Sequence, residues 1–429
     1  MRSVKAVSKI VWVIAAVVVI IVASIGVYFL VMRRPTVEKE IIIGSVLPLT
    51  GWASYYGMCI KFGQDIAVEE INAEGGIQSM GGAKLRIVYT DIKSDPAVTS
   101  GEVERLITTY HPHVLTGCYA SSLTLVATEV SERYKVPFLV QLAVSPEITG
   151  RGLKYVFRFN GDAKAGGYST VDFLHAVAEK EGIEVRTIAC VYENTEYGQS
   201  QMGYVKERAL YYGYEIVLDL PYPAGIKDAD PLVLKIKEAN ADVVALVSYL
   251  DDAILITRAL KKYDVNPLIF LNQGGGYSEP EFVKMMGKDA DYFITVCETT
   301  ADMPFPELED FKRKYREKTG MDPGEAAVAS YVTMWGLKEV LELAGQLHPD
   351  NPLDPDSIRD AFLNIDLSYP ENGRAAMWPS KRVKLDETGN NIYNMQVVQQ
   401  IIDGQFYTVY PFDLATHDYV FPIPKWSER

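Results

Sequence analysis

The segment Ile41–Gly76, IIIGSVLPLTGWASYYGMCIKFGQDIAVEEINAEGG, constrains the fold more than any other part of the chain. It opens with a nearly unbroken apolar run, Ile41, Ile42, Ile43, Gly44, Val46 and Leu47, the pattern of a strand buried on both faces. Pro48, Thr50 and Gly51 break that strand. Ile60, Gly63, Ala67 and Ile71 then recur three or four residues apart, so a helix follows, and Gly75 and Gly76 stop it. In an open parallel sheet ligands sit beyond the carboxyl ends of the strands. The loop 49–57, with Trp52, Tyr55 and Tyr56, therefore points to a ligand site.

The same alternation continues. Strands are expected at 84–91, 113–117 and 136–141, with helices at 96–110, where Pro96 suits a first helical position, and 121–134. A second half follows: strands at 185–192, 214–220, 241–248, 267–271 and 292–297, with helices at 197–213 and 232–240. Beyond Phe305 come helices at 307–318, 325–344 and 355–364, and then Tyr393–Ile402 and Gln405–Tyr410 joined by Asp403-Gly404, a strong hairpin signal. The fold class expected is α/β with two doubly wound, Rossmann-like lobes. With 429 residues the chain is long enough for them.

Before the lobes, Ile10–Met32 is an apolar run interrupted only by Ser24 and Gly26 and flanked by Arg2, Lys5, Lys9, Arg33 and Arg34. As a helix it reaches about 35 Å, enough to cross a hydrocarbon core of about 30 Å. One N-terminal transmembrane anchor over residues 1–35 is expected, with a cleaved signal peptide as the alternative, and 36–40 is a short linker. A net charge of −14 without clustered basic residues beyond the N-terminus excludes a nucleic-acid surface.

The strand, PLTG, the loop ending in YG and then AVEEINAEGGI resemble the start of the type I periplasmic binding proteins, specifically their leucine/isoleucine/valine-binding group. TDIKSDP (90–96), GCYASSLTLV (117–126), VSPEITGRG (144–152), YVFRFNG (155–161), EYGQ (196–199), SYLDDAILITRAL (248–260) and AAVASY (326–331) continue it in order and spacing. The resemblance implies three crossovers between lobes, one lobe from 41–160 and 299–385 and the other from 161–298 and 386–429. It implies an extracytoplasmic receptor that closes on a small polar ligand and delivers it to the permease and ATPase subunits of an ABC transporter. A ligand-sensing receptor working with a separate signalling partner is the alternative.

The resemblance also places the pocket. Ser121 and Ser122 open a helix whose free N–H groups suit a carboxylate; Ser is equally a good N-cap. Tyr56, Tyr197, Tyr249 and Tyr331 stand where the family brings aromatic rings around its ligand. Val144 replaces a family threonine, with Ser145 beside it, and Gln273 replaces the glutamate that receives a ligand ammonium. A family aspartate near Ala163 is missing, though Asp162 is adjacent. An unpartnered buried ammonium costs several kcal/mol, so Gln273 favours an amide, urea-like, polyol or aromatic acid ligand over an amino acid. Asp251 and Asp252 either restore a cation partner or cap the next helix. The family's disulfide would need cysteines where Ser94 and Ala120 stand.

No G-x-S-x-G elbow, phosphate loop or G-x-G-x-x-G is present, so neither an enzyme nor a cofactor is expected. His111 and His113 lack a second ligand pair, so no metal site is expected. Cys190 and Cys297 sit in apolar strand patterns, as buried thiols do.

Overall fold

The computed structural model describes residues 11–15, 18–19 and 40–429. The expected membrane span Ile10–Met32 lies mostly outside the described residues, among which no helix is long and apolar enough to cross a membrane.

Strand β1 (Glu40–Leu47) leads through the 48–53 loop into helix α1 (Ser54–Ala73). Then come β2 (Lys84–Asp91), α2 (Pro96–Tyr110), β3 (Val114–Gly117), α3 (Ser121–Tyr134), β4 (Phe138–Val140) and β5 (Val156–Arg158). These strands form one parallel sheet in the order β2-β1-β3-β4-β5. Strands β3, β4 and β5 are buried at every residue, the environment that favours the apolar residues predominating in them.

The chain then enters the second lobe: α4 (Ala163–Glu181), β6 (Thr187–Glu193), α5 (Glu196–Tyr211), β7 (Glu215–Tyr222), α6 (Asp230–Ala239), β8 (Val243–Val247), α7 (Leu250–Lys262), β9 (Ile269–Gln273), α8 (Pro280–Met286) and β10 (Ile294–Cys297). It returns to the first lobe as α9 (Glu307–Thr319), α10 (Glu325–Leu347), α11 (Pro355–Asn364) and a small ribbon of β11 (Asp366–Ser368) and β12 (Arg382–Lys384). A third crossing brings β13 (Val397–Ile402) and β14 (Gln405–Tyr410) onto the second sheet, in the order β14-β13-β10-β9-β8-β6-β7. β13 alone runs opposite to the other strands, so its pairings with β10 and β14 are the antiparallel ones. At the edge, β7 alternates exposed and half-buried residues, as a strand covered on one face does. Asp403 and Gly404 both have positive φ, the geometry of a two-residue hairpin turn, so the Asp-Gly signal selects this hairpin directly.

Helix α10 crosses α1 at Gly63. A Cβ there would lie 2.1 Å from Ser330 Oγ and 2.4 Å from the Ala327 carbonyl oxygen. Gly63→Ala must push two packed helices apart, and a loss of about 1–3 kcal/mol is expected in urea denaturation.

The four cysteines are buried and free.

Candidate functional site

The carboxyl ends of the two sheets face each other across a small enclosed cavity of about 30 Å³. From the first lobe, Tyr119, Ala120 and Ser121 follow β3, and Leu142, Ala143 and Val144 follow β4. From the second, Tyr197 and Gln201 come from the first turns of α5, Tyr249 from the end of β8, and Gly274 and Gly275 from the end of β9. Val296, Glu298, Glu325 and Gln396 complete the wall from β10, the start of α10 and the approach to β13. Gly275 is required: its φ is +59°, and a Cβ would meet Ser248 O at 2.7 Å and Tyr197 Oη at 3.0 Å.

Ser121 stands at the first turn of α3, and the N-cap itself is Ala120, which offers no side-chain bond. The hydroxyl is therefore not consumed as a cap; it accepts the Ser145 N–H at 3.3 Å. The helix N-terminus presents its positive end and uncapped N–H groups to the cavity, an arrangement suited to an anion.

The same wall carries two carboxylates. Glu298 Oε1 accepts from Gln396 Nε2 and Oε2 from the Gly161 N–H, each at 2.7 Å. Since Gly161, Glu298 and Gln396 each lie on a different crossover, this carboxylate ties all three connections between the lobes together. Glu325 accepts the Glu298 N–H at 2.7 Å and the Ser278 hydroxyl at 2.6 Å. Nearby, Glu279 accepts the Ala326 N–H at 3.1 Å and meets Tyr55 Oη at 3.5 Å. Burial pushes the Glu325 carboxyl up to about 7. Burial and then the charge of Glu325 push Glu279 up to about 8 and Glu298 well above the usual range. Burial favours the protonated form of such groups, and a cation brought beside them favours the ionised form. Gln201 Oε1 and Tyr249 Oη, also in the wall, are buried without hydrogen-bond partners.

Of the residues expected from the sequence, Ser121, Val144, Tyr197 and Tyr249 line this cavity. Two others hold the lobes together behind it. Tyr56 stacks on Tyr119 at 4.0 Å and its oxygen accepts the Leu250 N–H at 2.9 Å, while Ser145 Oγ donates to Glu196 at 2.7 Å. Ser122 is half-buried and outside the wall. Gln273 is not part of the cavity lining: its side-chain amide donates to Thr170 Oγ1 on α4 at 2.6 Å, its Oε1 is buried without a hydrogen-bond partner, and its backbone carbonyl accepts from Tyr197 Oη. Tyr331 lies in the first lobe's core, bonded to Glu70 and stacked on Phe311. Asp251 does not cap α7, whose N-cap is Tyr249 and carries no side-chain bond.

Glu298 and Glu325 were not singled out by sequence reasoning. Glu325 reads as an ordinary acidic residue in a helix first turn, and Glu298 follows a strand without a motif. Their juxtaposition comes from the crossovers, which no local spacing records.

Residues 40–405 match the family described as periplasmic binding protein. The Leu/Ile/Val-binding protein homolog 8 of Brucella suis biovar 1 (strain 1330) is 31% identical over 404 residues, covering 92% of this chain and 96% of the relative. Among solved structures, the branched-chain amino acid transporter substrate binding protein LivJ from Streptococcus pneumoniae, in complex with isoleucine, superposes with a TM-score of 0.71 at 20% identity, covering 87% of this chain and 100% of LivJ. A solute binding protein of an ABC transporter from Rhodopseudomonas palustris BisB5, in complex with 3,4-dihydroxy benzoic acid, gives 0.74 at 20% identity, covering 87% and 96%.

Proposed function

The chain belongs to the periplasmic binding protein family, and from that premise we propose that it is the extracytoplasmic solute receptor of an ABC importer, closing its lobes on an α-amino acid. The observation that carries the ligand class is the polarity of the cavity. A helix start with Ser121, suited to an anion, and the Glu298 and Glu325 carboxylates line the same cavity. A zwitterion satisfies both ends; an aromatic acid, amide or polyol leaves two buried carboxylates without a cation. The expectation drawn from Gln273 is replaced because that side chain faces α4 instead. Relatives named for leucine, isoleucine and valine support the reading.

In this reading the lobes are 41–160 with 299–385 and 161–298 with 386–429, hinged at the crossovers. The run Ile10–Met32 anchors the receptor outside the cytoplasm, and the closed form docks on permease and ATPase subunits. Closure reports occupancy because the ligand binds the closed state better than the open one.

Thermal shifts of the full-length chain against amino acids, amides, ureas, polyols and aromatic acids test the class. A ligand at 100 times its Kd adds about 2.7 kcal/mol of stability. Stabilisation by amino acids is expected; stabilisation only by uncharged or purely anionic compounds overturns the reading.

Two further results are expected. Tyr56→Ala and Ser121→Ala should each weaken amino-acid binding by at least about 1 kcal/mol in calorimetry, the scale of a lost aromatic contact or hydrogen bond. Affinity should also rise with pH. Glu325 titrates near 7 in the empty protein, and an ammonium binds its ionised form, so below pH 7 binding must expel a proton. The affinity gains up to about tenfold per pH unit between 5 and 7 for each proton released, and flattens above 8. Calorimetry in buffers of different ionisation enthalpy measures that release.

A further inference from the structure

Tyr249 lines two cavities. On one side is the enclosed site of about 30 Å³; on the other is an outer cavity of about 150 Å³ at the mouth of the cleft, lined by Trp52, Ala224, Gly225, Leu250, Asp251 and Asp252. The inner space alone holds about one water molecule, less than an amino acid needs. The Tyr249 ring leans on Trp52 at 4.4 Å and on Tyr197 at 5.3 Å, with Tyr119 and Tyr56 at 6.3 and 6.4 Å; its buried hydroxyl makes no hydrogen bond of standard geometry and has the Thr195 side chain as its polar neighbour.

The outer cavity has a chemistry of its own. Trp52, 46% exposed, and Tyr249 present aromatic faces, and two carboxylates sit beside them. Asp252 is 1% exposed; its Oδ2 accepts the Gly225 N–H at 2.8 Å, but its Oδ1 is buried without a partner. The helix dipole of α7 makes two acidic residues tolerable here, yet it supplies no donor to Oδ1. Asp251 is exposed and caps nothing. The Ile226 N–H and the charge of Lys227, itself exposed on the neighbouring loop, also act on the Asp252 carboxylate.

We propose that the two cavities are halves of one site divided by Tyr249, and that the outer half takes a positively charged group at the far end of the cargo. The ligand class is then an α-amino acid with a cationic side chain. Its backbone ends bind Ser121 and the Glu298–Glu325 pair, and its side chain passes the displaced Tyr249 ring to lie between Trp52 and Asp251–Asp252. The inference rests on the amino-acid reading of the inner cavity. A cation gains from both the aromatic faces and the carboxylates, whereas an aliphatic side chain leaves Asp252 Oδ1 unsatisfied.

Titration calorimetry of the full-length chain with L-lysine and L-leucine tests it, in the parent and in Asp251→Asn and Trp52→Leu, two changes at exposed positions that spare the core. Lysine is expected to bind at least about tenfold tighter than leucine, and either substitution to reduce that ratio severalfold. Leucine binding as tightly as lysine, or a lysine preference untouched by both substitutions, overturns the proposal while leaving the amino-acid reading intact. Absence of binding by either amino acid overturns both.

Discussion

Glu325→Gln is expected to bind amino acids about 10²–10³ times more weakly than the parent, while folding at least as stably. The two effects separate because the carboxylate plays different parts in the empty and loaded protein. In the proposed complex it faces the ligand ammonium, and removing one partner of a buried ion pair costs about 3–5 kcal/mol. Empty, it is a buried acid held near pKa 7 by desolvation. A folded-state pKa above the unfolded 4.5 means that its contribution to stability is fully present below about pH 4.5 and is lost as pH rises through 7. Glutamine cannot ionise, so it escapes that loss. It also keeps the local bonds: its oxygen accepts the Glu298 N–H, and its amide donates to Ser278, whose hydroxyl reverses. Calorimetry with an amino acid, beside urea midpoints from pH 5 to 8, checks both halves. The variant's stability should vary less with pH than the parent's.

Arg158→Met is expected to cost about 3–5 kcal/mol of folding stability, read as a lowered urea midpoint. Arg158 is the largest fully buried side chain of the molecule's described residues. Its guanidinium donates to the Ser145 carbonyl at 2.9 Å, the Ala143 carbonyl at 3.3 Å and Asn390 Oδ1 at 2.9 Å, with Asp162 at 3.9 Å. Methionine fills much of the volume but strands those acceptors without donors. Because Ala143 is cavity wall and Asn390 lies on the third crossover, the loss is expected to weaken ligand binding too. Arg158→Lys should recover only part of it, since one ammonium cannot span three acceptors.

Much of the fold was legible because central strands of parallel sheets are apolar at nearly every residue, and because helix starts carry local chemistry. Pro96 and the sequence after Ala120 mark helices that the structure begins at those positions. Asp403-Gly404 marks the hairpin for the same local reason. The lining of the candidate cavity was legible where a residue's position at a strand end fixes its direction, as for Ser121 and Tyr249. It failed where direction depends on a neighbouring element. Gln273 ends β9, but its side chain finds Thr170 on α4. Tyr331 sits on α10, whose packing on α1 delivers it to Glu70. The carboxylates that matter, Glu298 and Glu325, meet only because the chain crosses between lobes three times.

Titration calorimetry of the full-length chain with the amino acid it binds best, beside the same molecule lacking only its amino group, most directly tests whether Glu298 and Glu325 receive a ligand ammonium. Binding of the amino acid with a loss of at least about a hundredfold for the deaminated acid is the predicted result. Equal affinity for the two, or tighter binding of the acid alone, would mean that the paired carboxylates take no cation and that the cargo is not an amino acid.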